Sequence, residues 1–154
     1  MNDYERYMVE IKNQCPDIVL SETFLNCRNQ KQHMKSNVLI HTYHVTFISL
    51  KICDFLEWHG FQIDRKRMIK SALCHDLGLC DFKKKYGFKT HFIKAWQHPK
   101  DSLNMARFIT SIDEKTAMAI TRHMYPLCIM LPGSIEGWVL TTADKLCAVY
   151  EAFY

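Results

Sequence analysis

A chain of 154 residues with 48% hydrophobic side chains is long enough to bury one substantial core and too short for two domains of ordinary size. Its formal net charge of +4 suits an anionic ligand such as a phosphate ester but falls short of the basic excess expected of a nucleic-acid binder. No apolar run approaches a membrane span, the first residues carry no signal-peptide pattern, and the seven cysteines are odd in number with no CxxC pair, so a soluble, cytoplasmic protein with reduced thiols is expected, without a disulfide framework or a structural zinc site.

Residues 3–13 carry Tyr4, Tyr7, Met8 and Ile11 on one stripe, which predicts an amphipathic helix ended by Pro16. Short apolar runs at 17–20 and 23–25 predict a further short helix, and the polar stretch from Asn26 to Lys35 a connector. Residues 1–36 are thus expected as an N-terminal helical segment and connector, and 37–154 as the functional domain. The longest helix is expected from Asn37 to Trp58, capped by Ser36 or Asn37 and stopped by Gly60. At about 100° per residue, Val45, Ile48, Ile52, Phe55 and Leu56 fall within about 60° of His41, so an imidazole lies at the centre of the face meant for the core. His44, on the same helix, is its rival or a partner that orients it.

The next helix is expected to start at Asp64 and to place Met68, Ala72 and Asp76 at i, i+4 and i+8, with Gly78 as its terminator. A carboxylate that continues an apolar stripe is costly unless it is paired or bound to a cation. The stretch Asp81 to Gln97, with Lys83-Lys84-Lys85 and Gly87, reads as a loop near the mouth of a cleft, its lysines as solvated charges. Pro99 fits the first turn of a helix capped by His98. Ser111 and Glu114 fit a capping box for a helix that reaches His123 and closes at Pro126. A last helix from Ser134 carries Leu140, Asp144 and Ala148 on one inward stripe. Strand-like alternation is almost absent, so the expected fold is all-α: a single-domain helical bundle.

Six polar residues repeat one anomaly. His41, His75, Asp76, His98, His123 and Asp144 are spread over several helices, mostly where the pattern asks for burial. Each alone could be a core residue with its own partner, but six such partners would multiply a desolvation cost of several kcal/mol apiece. A divalent metal site removes the difficulty, since imidazole nitrogen and carboxylate oxygen suit iron, manganese, nickel or zinc. With thiolates left out, an open catalytic site fits better than a closed structural one. Lys145 beside Asp144 and Arg122 beside His123 are candidates to contact phosphate.

The order His41, then Leu73-Cys74-His75-Asp76-Leu77-Gly78, then Ala143-Asp144-Lys145 resembles the HD superfamily of metal-dependent phosphohydrolases, over about Asn37 to Glu151. His98-Pro99 and Arg122-His123-Met124 resemble the added histidines of its two-metal subgroup. The resemblance implies an HD-type bundle in which His41, His75, Asp76 and Asp144 hold one ion and His98 and His123 a second, with Asp76 bridging. It implies a hydrolase that cleaves a phosphoester or phosphoanhydride of a nucleotide-like small molecule with metal-activated hydroxide. A non-catalytic domain that binds metal and nucleotide, and a di-iron oxygenase, are the alternative readings.

Overall fold

The computed structural model describes residues 2–31, 37–80 and 91–153, with side chains from residue 95 onward in the last stretch. Local chemistry starts each helix. The Asn2 side chain accepts from the Glu5 N–H at 2.8 Å while Glu5 accepts from the Asn2 N–H at 3.1 Å, a reciprocal cap that opens α1 (Asp3–Gln14). Pro16 sits at the first position of α2 (Pro16–Val19), where its missing N–H costs no helical bond. Ser21 caps the short α3 (Glu22–Asn26) by accepting from the Phe24 N–H. Asn37 caps α4 (Val38–Trp58), accepting from the Ile40 N–H at 2.9 Å, and the chain leaves that helix through Gly60 at φ +87°. Asp64 does the same for α5 (Arg65–Cys74), which runs into the C-cap His75 and a 3-10 turn at Leu77–Leu79.

Then follow α6 (His91–Ile109), α7 (Glu114–Arg122) and α8 (Ile135–Phe153). Among the described residues the fold is all-α, with one isolated bridge between Lys31 and Asn37. No described helix is long and apolar enough to cross a membrane. The helix α4 packs on both α5 and α8, α7 reaches α5, α6 and α8, and α6 lies against the Leu77–Leu79 turn. One apolar cluster joins Tyr7, Ile11, Ile18 and Phe24 of the N-terminal helices to Leu50, Ile69, Leu73 and Ile120; a second joins Val45, Met68, Ala72, Ala119 and Leu140. The N-terminal segment therefore shares the main core.

Three expectations are corrected. Residues 81–90 of the expected loop, with Lys83 to Lys89, lie outside the described residues, but 91–97 belong to α6, which runs straight through Pro99. Proline removes one helical N–H and crowds the carbonyl four residues back, which makes it read as a helix start; here the packing of α6 against the turn and α7 carries the helix past it. Second, α7 is capped by Asp113, which accepts from the Thr116 N–H at 2.7 Å, and the Ser111 carbonyl instead accepts from Lys70 Nζ. Third, Cys27 and Cys80 form a disulfide with Cα atoms 5.1 Å apart, so not all seven cysteines are free thiols. The partners stand 53 residues apart, a separation that linear spacing cannot read as proximity. Cys15, Cys53, Cys74, Cys128 and Cys147 are free and buried, as small apolar side chains are.

Gly78 lies in the Leu77–Leu79 turn beyond the end of α5, which stops at Cys74, and owes its place there to packing rather than to helix termination. A Cβ there would stand 2.7 Å from the Ser102 nitrogen and 2.9 Å from the Asp101 Cβ, and against the His98 carbonyl. The bare backbone lets the turn press onto α6, where the Gly78 N–H donates to Ser102 Oγ at 2.8 Å.

Candidate metal centre

The six anomalous side chains converge. His41 comes from the second turn of α4, His75 and Asp76 from the end of α5, His98 from the middle of α6, His123 from the end of α7 and Asp144 from the middle of α8, and all are buried. Their donor atoms form two overlapping groups, each within 4.8 Å: His41, His75, Asp76 and Asp144, then Asp76, His98 and His123. In the first, His41 Nε2 lies 3.1 Å from Asp144 Oδ1 and 3.8 Å from Asp76 Oδ2, and His75 Nε2 lies 3.6 and 3.5 Å from the same two oxygens. In the second, His98 Nε2 lies 3.2 Å and His123 Nε2 3.7 Å from Asp76 Oδ1. Asp76 thus turns one oxygen to each group.

The outer edges of the rings set their tautomers. His75 Nδ1 donates to the Ala72 carbonyl at 2.7 Å, His123 Nδ1 to the Ile120 carbonyl at 2.6 Å, and His41 Nδ1 to Glu151 Oε2 at 3.0 Å. In the neutral ring each Nε2 is then a lone pair aimed at carboxylate oxygens, an arrangement that repels unless a cation or a proton stands between. His75 Nε2 is fully buried with no hydrogen-bond partner, a state that carries a penalty of about 1–3 kcal/mol without a compensating ligand. His98 Nε2 and His123 Nε2 face each other at 3.1 Å, a hydrogen bond if His98 carries its proton there and a shared edge of a cation site if it does not. The donor set of imidazole and carboxylate, without thiolate, fits a divalent transition ion.

Electrostatics in the cluster run in the same direction. Burial, then the neighbouring His75 and His98, push His123 down to about 3, which keeps it neutral and able to ligate. For His41 burial also pushes downward but is outweighed by hydrogen bonds to Asp144 and Glu151, which raise it to about 10: a proton takes the place of a cation on its Nε2. Burial likewise opposes ionisation of Asp76 and Asp144, yet His75, His98 and His41 around the one, and His41 and His75 on the other, hold both far below the usual carboxylate range.

The structure also places the remaining candidates. Lys145 Nζ donates to the His123 carbonyl at 3.0 Å and to Asp144 Oδ2 at 3.3 Å, partly exposed at the edge of the cluster. The Arg122 guanidinium turns away to the Leu131 carbonyl at 3.1 Å, so it is not brought into the cluster. His44 also lies outside both groups; its half-exposed ring meets Glu151 Oε1 at 3.1 Å. Sequence reasoning passed over Glu151 itself. Its signal was available: from Asp144 through Ala148, Glu151 is the next residue of the inward stripe, and it is buried.

A family model described as the HD domain matches residues 38–149 of the chain. No curated protein and no solved structure matches it.

Proposed function

The chain belongs to the HD domain family, and from that premise we propose that it is a phosphohydrolase dependent on two divalent ions, acting on a phosphoester or phosphoanhydride of a nucleotide-like small molecule. The observation that carries this reading is Asp76, whose Oδ2 faces His41 and His75 while its Oδ1 faces His98 and His123. His41, His75, Asp76 and Asp144 would hold the first ion, and Asp76, His98 and His123 the second. When bound, iron, manganese, nickel or zinc supplies charge that acidifies water and neutralises the phosphoryl group under attack.

The protein's own part is to position and exclude. Six buried ligands from five helices and the turn after α5 fix the donors without reorganisation at the moment of reaction. Asp76, held ionised by the imidazoles around it, accepts a hydrogen bond from the attacking water and orients it. The Lys145 ammonium, bonded to Asp144 and partly exposed, meets the anionic substrate at the edge of the cluster. A positive net charge favours approach of such a substrate.

The test joins elemental analysis of freshly purified protein to a phosphate-release screen over mononucleotides, dinucleoside polyphosphates and cyclic dinucleotides. Two equivalents of transition metal and turnover of at least one compound are expected, both abolished in His75→Ala. Protein that takes up no metal under any loading condition defeats the proposal. Metal with tight nucleotide binding and no turnover would make it a binding domain, and a coloured, redox-active centre an oxygenase.

A further inference from the structure

We infer that Glu151 is a positioning residue for the metal centre: it fixes the ring of His41 and strengthens its inward nitrogen as a donor, while His44 holds the far side of the same carboxylate. This inference rests on the metal-site reading above and adds to it a residue that lies beyond the matched span of 38–149.

The geometry is a relay of three side chains. His41 Nδ1 meets Glu151 Oε2 at 3.0 Å, and its opposite nitrogen, Nε2, faces Asp144 Oδ1 at 3.1 Å. The other carboxylate oxygen, Oε1, meets His44 Nδ1 at 3.1 Å. Both Glu151 oxygens are thus directed at imidazoles one turn apart on α4, which pins the carboxylate against rotation. Glu151 has a side-chain exposure of 7% and His41 of 0%, so the contact between them is shielded from bulk water. His44 is 48% exposed and reaches the relay from outside.

The other imidazoles with a described outer contact are treated differently. His75 and His123 each donate Nδ1–H to a backbone carbonyl of their own helix, three residues back. Those carbonyls come with the helix and need no dedicated side chain. His41 lies in the second turn of α4 and instead receives a charged acceptor from another helix, 110 residues on in sequence. A carboxylate on the outer nitrogen fixes the tautomer and raises the basicity of the inner one more than a neutral carbonyl does. Burying a carboxylate at the end of α8 is otherwise costly, and a purely apolar residue would serve packing better.

The experiment compares wild-type protein with Glu151→Gln and Glu151→Ala in Zn²⁺ competition against a chromophoric chelator. Circular dichroism of the same samples establishes that they are folded. Gln keeps the shape and one acceptor for His41 but loses the charge, whereas Ala loses both. Zn²⁺ affinity is expected to fall about 10–100-fold in the Ala variant and by a smaller factor in the Gln variant. If Glu151 only ties α8 to α4, folded variants will melt at lower temperature yet bind Zn²⁺ as wild type does, and that result overturns the inference. Failure of wild type itself to bind Zn²⁺ would instead remove the metal-site reading, so the two failures are told apart.

Discussion

A single carboxylate at the start of α7 decides how firmly His123 is delivered to the cluster. Asp113 accepts from Thr116 at 2.7 Å and from Arg67 at 3.2 and 3.3 Å, and its carboxyl is pushed down to about 2, chiefly by the Thr116 hydrogen bonds, with burial opposing and Arg67 assisting. The folded value lies below the ordinary value near 3.9, so the cap stabilises the fold above about pH 4 and loses that contribution as pH falls toward 2. Asp113→Ala is therefore expected to cost about 1 kcal/mol at pH 7 in urea unfolding. The deficit should shrink steadily between pH 4 and pH 2; an undiminished deficit at pH 2 would contradict the capping role. At this scale the sequence was most legible where a polar residue interrupts an apolar stripe, as with His41 and Asp144, because helical periodicity alone places them inside; Asp76 is buried too, but in the turn just past α5. Glu151 sits on the same stripe but near the end of α8, where an acidic residue in a helical pattern reads equally well as solvent-facing.

At the scale of elements, the tightest junction is the one between the turn after α5 and the middle of α6. Gly78 has no room for a Cβ: the Ser102 nitrogen, the Asp101 Cβ and the His98 carbonyl already occupy the space, and all three are on α6. Two of the obstacles are backbone, so the helix must retreat rather than a side chain swing aside. Gly78→Ala is expected to destabilise the protein by about 1–3 kcal/mol. It should also move His98 relative to Asp76, since both flank the junction and their donor atoms stand 3.2 Å apart. The measurement is a thermal melt beside metal analysis, and loss of stability with unchanged metal content would show that His98 tolerates the shift. The reach of α6 was the least legible element because Pro99, a helix breaker by local rules, stands in its interior, and only packing against neighbours overrides it. Helix α4 was legible nearly to the residue at both ends, since Asn37 is a strong cap and Gly60 a strong stop, and α5 at its start, where Asp64 caps it; its end came at Cys74, short of the expected stop at Gly78.

Across the whole molecule, one covalent bond ties the N-terminal helices to the segment that follows the His75-Asp76 doublet. Cys27 lies in the 3-10 turn after α3, and Cys80 closes the turn that Gly78 presses onto α6. No pattern in the sequence marks this pair: proximity of residues 53 apart is a product of the fold, and five buried free cysteines share the same composition signal. A cross-link over that separation restricts the unfolded chain, so reduction, or Cys27→Ser, is expected to lower stability by about 2–4 kcal/mol. The N-terminal helices should feel the loss first, because their other ties include apolar contacts of Tyr7, Ile11, Ile18 and Phe24, the Arg65 bridge to Glu10 on α1, and the Arg6 and Tyr7 contacts to Asp54 on α4, none of them covalent. The cluster itself has a separate anchor, since the Gly78 N–H to Ser102 bond fixes the turn to α6 without help from Cys80. Urea unfolding with and without reductant measures the first effect, and metal analysis of the reduced protein the second. Lowered stability with metal retained is the expected pair of results. Metal released on reduction would mean that the Gly78 contact cannot hold Asp76 in place alone, and that the bond to the N-terminal segment is part of what assembles the centre.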